Sequence, residues 1–191
     1  MCGNDENPSI QLIDLNKPEL LSIFSDAHSD IISTIEILET TNKDTYLKID
    51  LCTGSLDNLI KIWILEITDT NEGSIIPIKT LNFHSESINS LRAVDFDRHH
   101  MLIATSKDKN ISIWDWKGEK NEPIIDFANA HKDTINDVIF LKKTLFATCS
   151  GDKEIKVWDL DTRSEVKVKN FNVFILLSFS ISKTLVCSNE D

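Results

Sequence analysis

The chain is punctuated by short runs in which every second residue is apolar, as with Ile111 and Ile113 around Ser112, and Ile155 and Val157 around Lys156, each run closing on a tryptophan. A period of two places alternate side chains on opposite faces of an extended segment, and β-branched and aromatic residues suit such a pleated surface. Asp, Asn, Lys and Gly bound the runs, as tight turns require. The pattern predicts strands that come in sets of four. First strands are expected near 31–38, 88–96 and 135–141, and second strands near 46–53, 101–106 and 144–150. Third strands are expected near 59–65, 110–116 and 154–160, and outer strands near 75–81, 123–127 and 164–170. No segment sustains a helical period, so the expected class is all-β.

The sets are repeats of one another. Residues 53–63 read TGSLDNLIKIW, residues 104–115 ATSKDKNISIWD and residues 148–159 TCSGDKEIKVWD, with an aspartate (Asp57, Asp108, Asp152) at one fixed distance before a tryptophan (Trp63, Trp114, Trp158). Upstream of each stands a histidine, His28, His84 or His131, followed after one residue by an acid, Asp30, Glu86 or Asp133. Self-similarity at a fixed period is the signature of repeat architectures.

These segments resemble WD40 repeats, and the resemblance covers nearly the whole chain. It implies a WD40-type β-propeller in which blades of four antiparallel strands stack radially. It also implies that each blade holds a buried relay from the tryptophan indole through a hydroxyl and the histidine to the aspartate. By position the relay is Trp63, Thr53, His28 and Asp57 in the first blade, and Trp158, Thr148, His131 and Asp152 in the third. In the second, Trp114, His84 and Asp108 match, but Ala104 takes the hydroxyl position, so that relay is expected to be incomplete. Recurrence argues against a hydrolase triad, since a catalytic constellation is needed once and a structural device is needed in every unit.

The expected division is a half blade over 1–27, repeats over 28–83, 84–130 and 131–169, and a truncated repeat over 170–191. In the head, Asn7 stands at the aspartate place and Ile13 at the tryptophan place, with an outer strand near 20–25. Placing Asp152 on Asp191 puts Phe140 on Phe179, Phe146 on Leu185 and Thr148 on Cys187, so the tail carries the first two strands of a repeat, with Asn170 at the histidine position. The expectation is therefore three full blades plus two half blades, forming part of a larger propeller, a four-bladed ring closed by pairing 184–188 with 9–15, or a ring completed by a second chain.

Composition narrows function by exclusion. Lys and Arg number 20 against 31 Asp and Glu, a net charge of −11, which repels phosphate backbones and anionic membranes. Neither nucleic acid nor membrane is an expected partner. The opening residues lack the basic and apolar regions of a secretory signal, the longest apolar run, 174–179, is too short for a bilayer span, and Cys2, Cys52, Cys149 and Cys187 show no metal-ligand or C-x-x-C spacing. Cytoplasm or nucleus, with reduced thiols, is expected. His99 and His100 are placed in a tight turn between two strands. No phosphate cradle, zinc motif or nucleophile elbow occurs, so no cofactor, metal or catalytic role is assigned.

What remains is a non-enzymatic protein-interaction scaffold. In the family the connections bearing Asp30, Glu86 and Asp133 open on the ligand-binding face, where three acids suit a basic peptide. Trp116 and Lys117 are two further candidate contacts. Trp114, Asp115, Trp116 and Lys117 also resemble the box by which some family members dock on the adaptor of a cullin ubiquitin ligase, although arginine usually stands where Lys117 does. A ligase substrate receptor and a non-functional truncated propeller are the alternatives.

Overall fold

The computed structural model describes residues 8–15, 18–70, 72–96, 99–142 and 144–166. They form fourteen strands: β1 (Ile10–Asp14), β2 (Glu19–Phe24), β3 (Ile32–Lys43), β4 (Tyr46–Ser55), β5 (Leu59–Thr68), β6 (Gly73–Asn82), β7 (Ile88–Phe96), β8 (His99–Ser106), β9 (Ile111–Asp115), β10 (Ile125–Phe127), β11 (Ile135–Phe140), β12 (Leu145–Ser150), β13 (Ile155–Asp159) and β14 (Ser164–Glu165). Every pairing is antiparallel between strands consecutive in the chain. The result is a two-stranded sheet, β1-β2, and three four-stranded sheets, β3 to β6, β7 to β10 and β11 to β14. This is an all-β architecture of propeller blades. Residues 167–191, with Asn170, the end of the strand expected over 164–170 and the tail strand expected at 184–188, lie outside the described residues, as does Asn7.

Apolar cores lie between the sheets. Ile10, Leu51, Trp63, Leu65 and Ile75 fill the space between the two-stranded sheet and the first full one. Cys52, Ile60, Ile62, Leu91 and Trp114 fill the next space, and Ile103, Ile111, Val138, Phe146 and Trp158 the last. Each tryptophan thus faces the preceding sheet, and the residues three and five places after Asp57 and Asp108 face the following one. Along the inner strands an ion chain links the three full sheets: Arg92 on β7 reaches Glu36 on β3 at 3.7 Å and Asp137 on β11 at 3.5 Å. Glu36 also accepts the Ala93 amide, and Asp137 accepts the Ser90 hydroxyl.

Two expectations need correction. The first full sheet is taller than the pattern predicted, with β3 running on to Lys43 and β5 to Thr68. Thr40, Thr41 and Asn42 pair with Ile49, Lys48 and Leu47 around a turn at 44–45, so cross-strand pairing carries the strand beyond the alternating apolar pattern. His99 and His100 are not in a turn: they open β8, paired with Phe96 and Asp95. The His100 ring packs 5.7 Å from Trp116.

Candidate functional site

Each full sheet carries the same buried network. In the first, the Trp63 indole donates to Thr53 Oγ1 at 2.9 Å, the hydroxyl lies 2.7 Å from His28 Nε2, and His28 Nδ1 lies 2.9 Å from Asp57 Oδ2. In the third, Trp158, Thr148, His131 and Asp152 repeat this with 2.9, 2.8 and 2.9 Å. The network assigns the protons. An indole only donates and a carboxylate only accepts, so the hydroxyl proton goes to Nε2 and Nδ1–H goes to the aspartate. Both nitrogens of each ring are therefore engaged. None of these histidines has a ring nitrogen left for proton transfer to a substrate.

The second sheet completes its network by another route, which corrects the expected gap at Ala104. His84 Nε2 lies 2.7 Å from Ser112 Oγ, the Trp114 indole donates to the same oxygen at 2.8 Å, and His84 Nδ1 lies 2.9 Å from Asp108. Ala104 and Ser112 are direct cross-strand partners on β8 and β9. The hydroxyl has moved across the ladder while its place in space is kept.

The network also builds the turns that close each sheet at one end. Asp57 Oδ2 accepts the Ser29 amide and its Oδ1 the Leu59 amide; Asp108 and Asp152 do the same for Ser85 and Asn110, and for Lys132 and Glu154. Burial pushes these three carboxyls up, but the amides and the neighbouring histidine prevail. Asp57 and Asp108 sit below the ordinary value, and Asp152 is lowered to about 2. His28 moves down: burial outweighs the Asp57 carboxylate that would raise it.

A serine missed by the sequence reading recurs beside each aspartate. Ser55, Ser106 and Ser150 donate to the Asp30, Glu86 and Asp133 carbonyls and accept the Asp57, Asp108 and Asp152 amides. The signal was present, since each stands two places before its aspartate in all three repeats. The residue after each aspartate, Asn58, Lys109 or Lys153, takes a left-handed φ of 70° to 72°, a tight-turn conformation that costs a lysine of order 1 kcal/mol.

On these turns Asp30, Glu86 and Asp133 are exposed at equivalent places. Asp30 Oδ1 accepts the Ile31 amide and Asp133 Oδ1 the Thr134 amide, both at 2.7 Å, while Glu86 lies 3.5 Å from Lys107. Trp116 is placed differently from a surface anchor. It is buried between the first two full sheets with Cys52, Ile62 and Leu102. Lys117 Nζ donates to Glu39 on β3 at 2.7 Å and lies 5.0 Å from the Trp116 ring, an engaged cation rather than a free one. His131, Asp152 and Glu154 bring ligand-type atoms within 4.8 Å of one another, but the two His131 nitrogens are already taken by Asp152 and Thr148. Such a group is a relay and not a metal centre.

Comparison with known proteins agrees with this geometry. The family model described as WD domain, G-beta repeat, matches residues 75–115 and 122–159. The chain is 32% identical over 124 residues to a WD repeat-containing protein 55 homolog of Drosophila ananassae, covering 63% of this chain and 25% of that one. It is 29% identical over 162 residues to the putative BTB/POZ domain and WD-repeat protein R61 of Acanthamoeba polyphaga mimivirus, covering 82% and 31%. It is 30% identical over 128 residues to a ribosome biogenesis protein WDR12 homolog of Drosophila virilis, covering 62% and 29%. The chain thus spans less than a third of these relatives. Among solved structures, U3-55K superposes with a TM-score of 0.61 at 20% identity, over 84% of this chain and 45% of that one. Two repeats match the family model and three sheets carry its indole, hydroxyl, imidazole and carboxylate in one geometry: the chain belongs to the WD40-repeat family.

Proposed function

We propose that this chain is a non-enzymatic scaffold that holds protein partners in a complex, and that the partners bind the turn face displaying Asp30, Glu86 and Asp133. The observation that carries this reading is the recurrence of an exposed carboxylate at one place in three adjacent sheets, on turns held by the serine and aspartate bonds described above. A regular row of carboxylates on a rigid support suits an extended segment rich in lysine or arginine. Lys107 beside Glu86 is a weak competitor, because both side chains are exposed and such pairs contribute at most about 1 kcal/mol. The relative that is a ribosome biogenesis protein supports a nuclear site of action; the cytoplasm is the other compartment the composition allows.

The test must remove charge without opening the turns. Asp30→Asn, Glu86→Gln and Asp133→Asn keep an oxygen for the Ile31 and Thr134 amides. Titrated with a labelled oligo-arginine peptide at low salt, the triple variant should bind at least tenfold more weakly and lose most of its salt dependence. Equal affinity for both proteins rejects the rim as the binding face.

A further inference from the structure

The turns that display Asp30, Glu86 and Asp133 share one backbone frame. In each, the residue before the relay aspartate donates its amide to the carbonyl of the residue after the exposed acid: Leu56 to Ile31 at 2.9 Å, Lys107 to Ser87 at 3.0 Å and Gly151 to Thr134 at 2.9 Å. The side chains on this frame differ in kind. In the first turn both are apolar and exposed, Ile31 at 61% and Leu56 at 37%. In the second, Lys107 lies 3.5 Å from Glu86 and offsets its charge. In the third, Gly151 has no side chain, and a Cβ there would lie 3.0 Å from Asp133 Oδ2. The Asp133 carboxylate therefore stands over bare backbone, where the first turn sets a leucine.

The fold does not ask for the apolar pair. Ser87 with Lys107, and Thr134 with Gly151, close the same frame without an apolar side chain. Nor is Leu56 waiting for a neighbouring sheet. Asn58, two residues on, already donates to the Ser85 carbonyl of the next sheet at 3.1 Å, and Leu56 stays exposed beside that contact. A lone exposed leucine is ordinary. Here two apolar side chains are joined at their backbones beside Asp30, on a rim whose other two turns carry none at those places.

We propose that the turn face, taken as the binding face on the reading above, orients its partner: an extended segment lays an apolar side chain on Ile31 and Leu56 and a lysine or arginine on Asp133. The second turn, its charge already offset by Lys107, is passed over between them. Packed sheets stand about 10 Å apart and an extended chain advances about 3.3 Å per residue, so anchors two sheets apart are about six residues apart. Covering Ile31 and Leu56 removes apolar surface from water, and a basic residue next to the apolar one still reaches Asp30. Laid the other way, the segment sets its apolar residue on the Asp133 carboxylate and leaves Ile31 and Leu56 uncovered. Direction thus comes from what each turn rejects as well as from what it attracts.

Two labelled octapeptides with blocked ends test this at low salt: two leucines followed by six arginines, and the same residues in reverse order. The native chain should bind one of them roughly fivefold or more tightly than the other. Ile31→Thr with Leu56→Gly gives the first turn the residues of the third and leaves the charge unchanged. Both side chains are exposed, so the circular dichroism spectrum should not change, and this variant should bind the two peptides equally. Equal binding of the two by the native chain overturns the proposal, as does a preference that survives in the variant. The triple variant Asp30→Asn, Glu86→Gln and Asp133→Asn tells the two failures apart. If it weakens both peptides while the native chain shows no preference, the face binds but does not orient. If it weakens neither, the face itself is rejected, and the orientation with it.

Discussion

Ser112 and Ala104 face each other across β8 and β9, where the other two sheets place lysine opposite threonine, Lys61 with Thr53 and Lys156 with Thr148. A third position changes with them. Each lysine amine donates to the carbonyl of the alanine before the relay histidine, Ala27 at 2.6 Å and Ala130 at 2.7 Å. In the second sheet that alanine is Phe83, whose ring lies edge-on to His84 and Trp114. Serine on the third strand leaves no lysine there to cover the relay, and the phenylalanine ring covers it instead. Ser112→Ala would leave the Trp114 N–H and His84 Nε2 buried without a partner, and each such group costs about 1–3 kcal/mol. The urea midpoint should fall accordingly, and Ala104→Thr in the same background should recover most of the loss. A midpoint unmoved by Ser112→Ala would show that this relay contributes nothing to stability. The histidines, aspartates and tryptophans were legible in the sequence because they recur in register. The Ser112 hydroxyl was not, because comparing repeats column by column cannot see a group that has crossed to the paired strand.

Between elements, the closest approach is at Gly54 on β4. A Cβ there would lie 2.5 Å from Ile88 Cγ2 and 2.8 Å from Thr34 Cγ2, and beside it the Ser33 hydroxyl donates to both the Gly54 and the Ile88 carbonyls. Thr105 and Cys149 occupy the same position in the other sheets, so glycine is needed here for the neighbouring sheet and not for the strand. Gly54→Ala should cost about 1–3 kcal/mol by overpacking. Combined with Ile88→Ala, which removes the Cγ2 contact and leaves Ile88 Cβ at 2.9 Å, it should cost less than the two single changes together; strict additivity in a thermal-denaturation cycle would refute the contact. The elements themselves were readable where alternation and turn residues coincide, as at β9 and β13. The extension of β3 to Lys43 was not, since Thr40, Thr41 and Asn42 become strand only by pairing with β4. Lys117 with Glu39, and Arg92 with Glu36 and Asp137, were equally invisible: they join residues far apart in the chain that only the stacking of sheets brings together.

For the whole molecule, the same relays that order the turns make stability depend on pH. His28 is held below its ordinary 6.5 by burial, against the pull of Asp57. The unfolded chain takes up the proton that folded His28 refuses, so acidification through about 6.5 favours unfolding. Asp57, Asp108 and Asp152 are below their ordinary 3.8, the last at about 2, because amide and imidazole donors outweigh the effect of burial. Their stabilisation is complete above 3.8 and is lost as pH falls through the folded values. Glu36 opposes this trend. Burial raises it above 4.5 against the Ala93 amide and Arg92, so its ionised form weakens the fold and protonation relieves that cost. One such group against one histidine and three aspartates leaves the balance falling with acid. Thermal melts should therefore show a shallow loss of Tm from pH 7.5 to 5.5 and a steep one below about 4. His28→Gln, compared with itself across the same range, should flatten the first stage and keep the second, since the stages belong to different groups. A Tm that rises from pH 7.5 to 5.5 in the native chain would mean that folded His28 binds its proton more tightly than the unfolded chain does, and the charge arrangement described for the relay would be wrong.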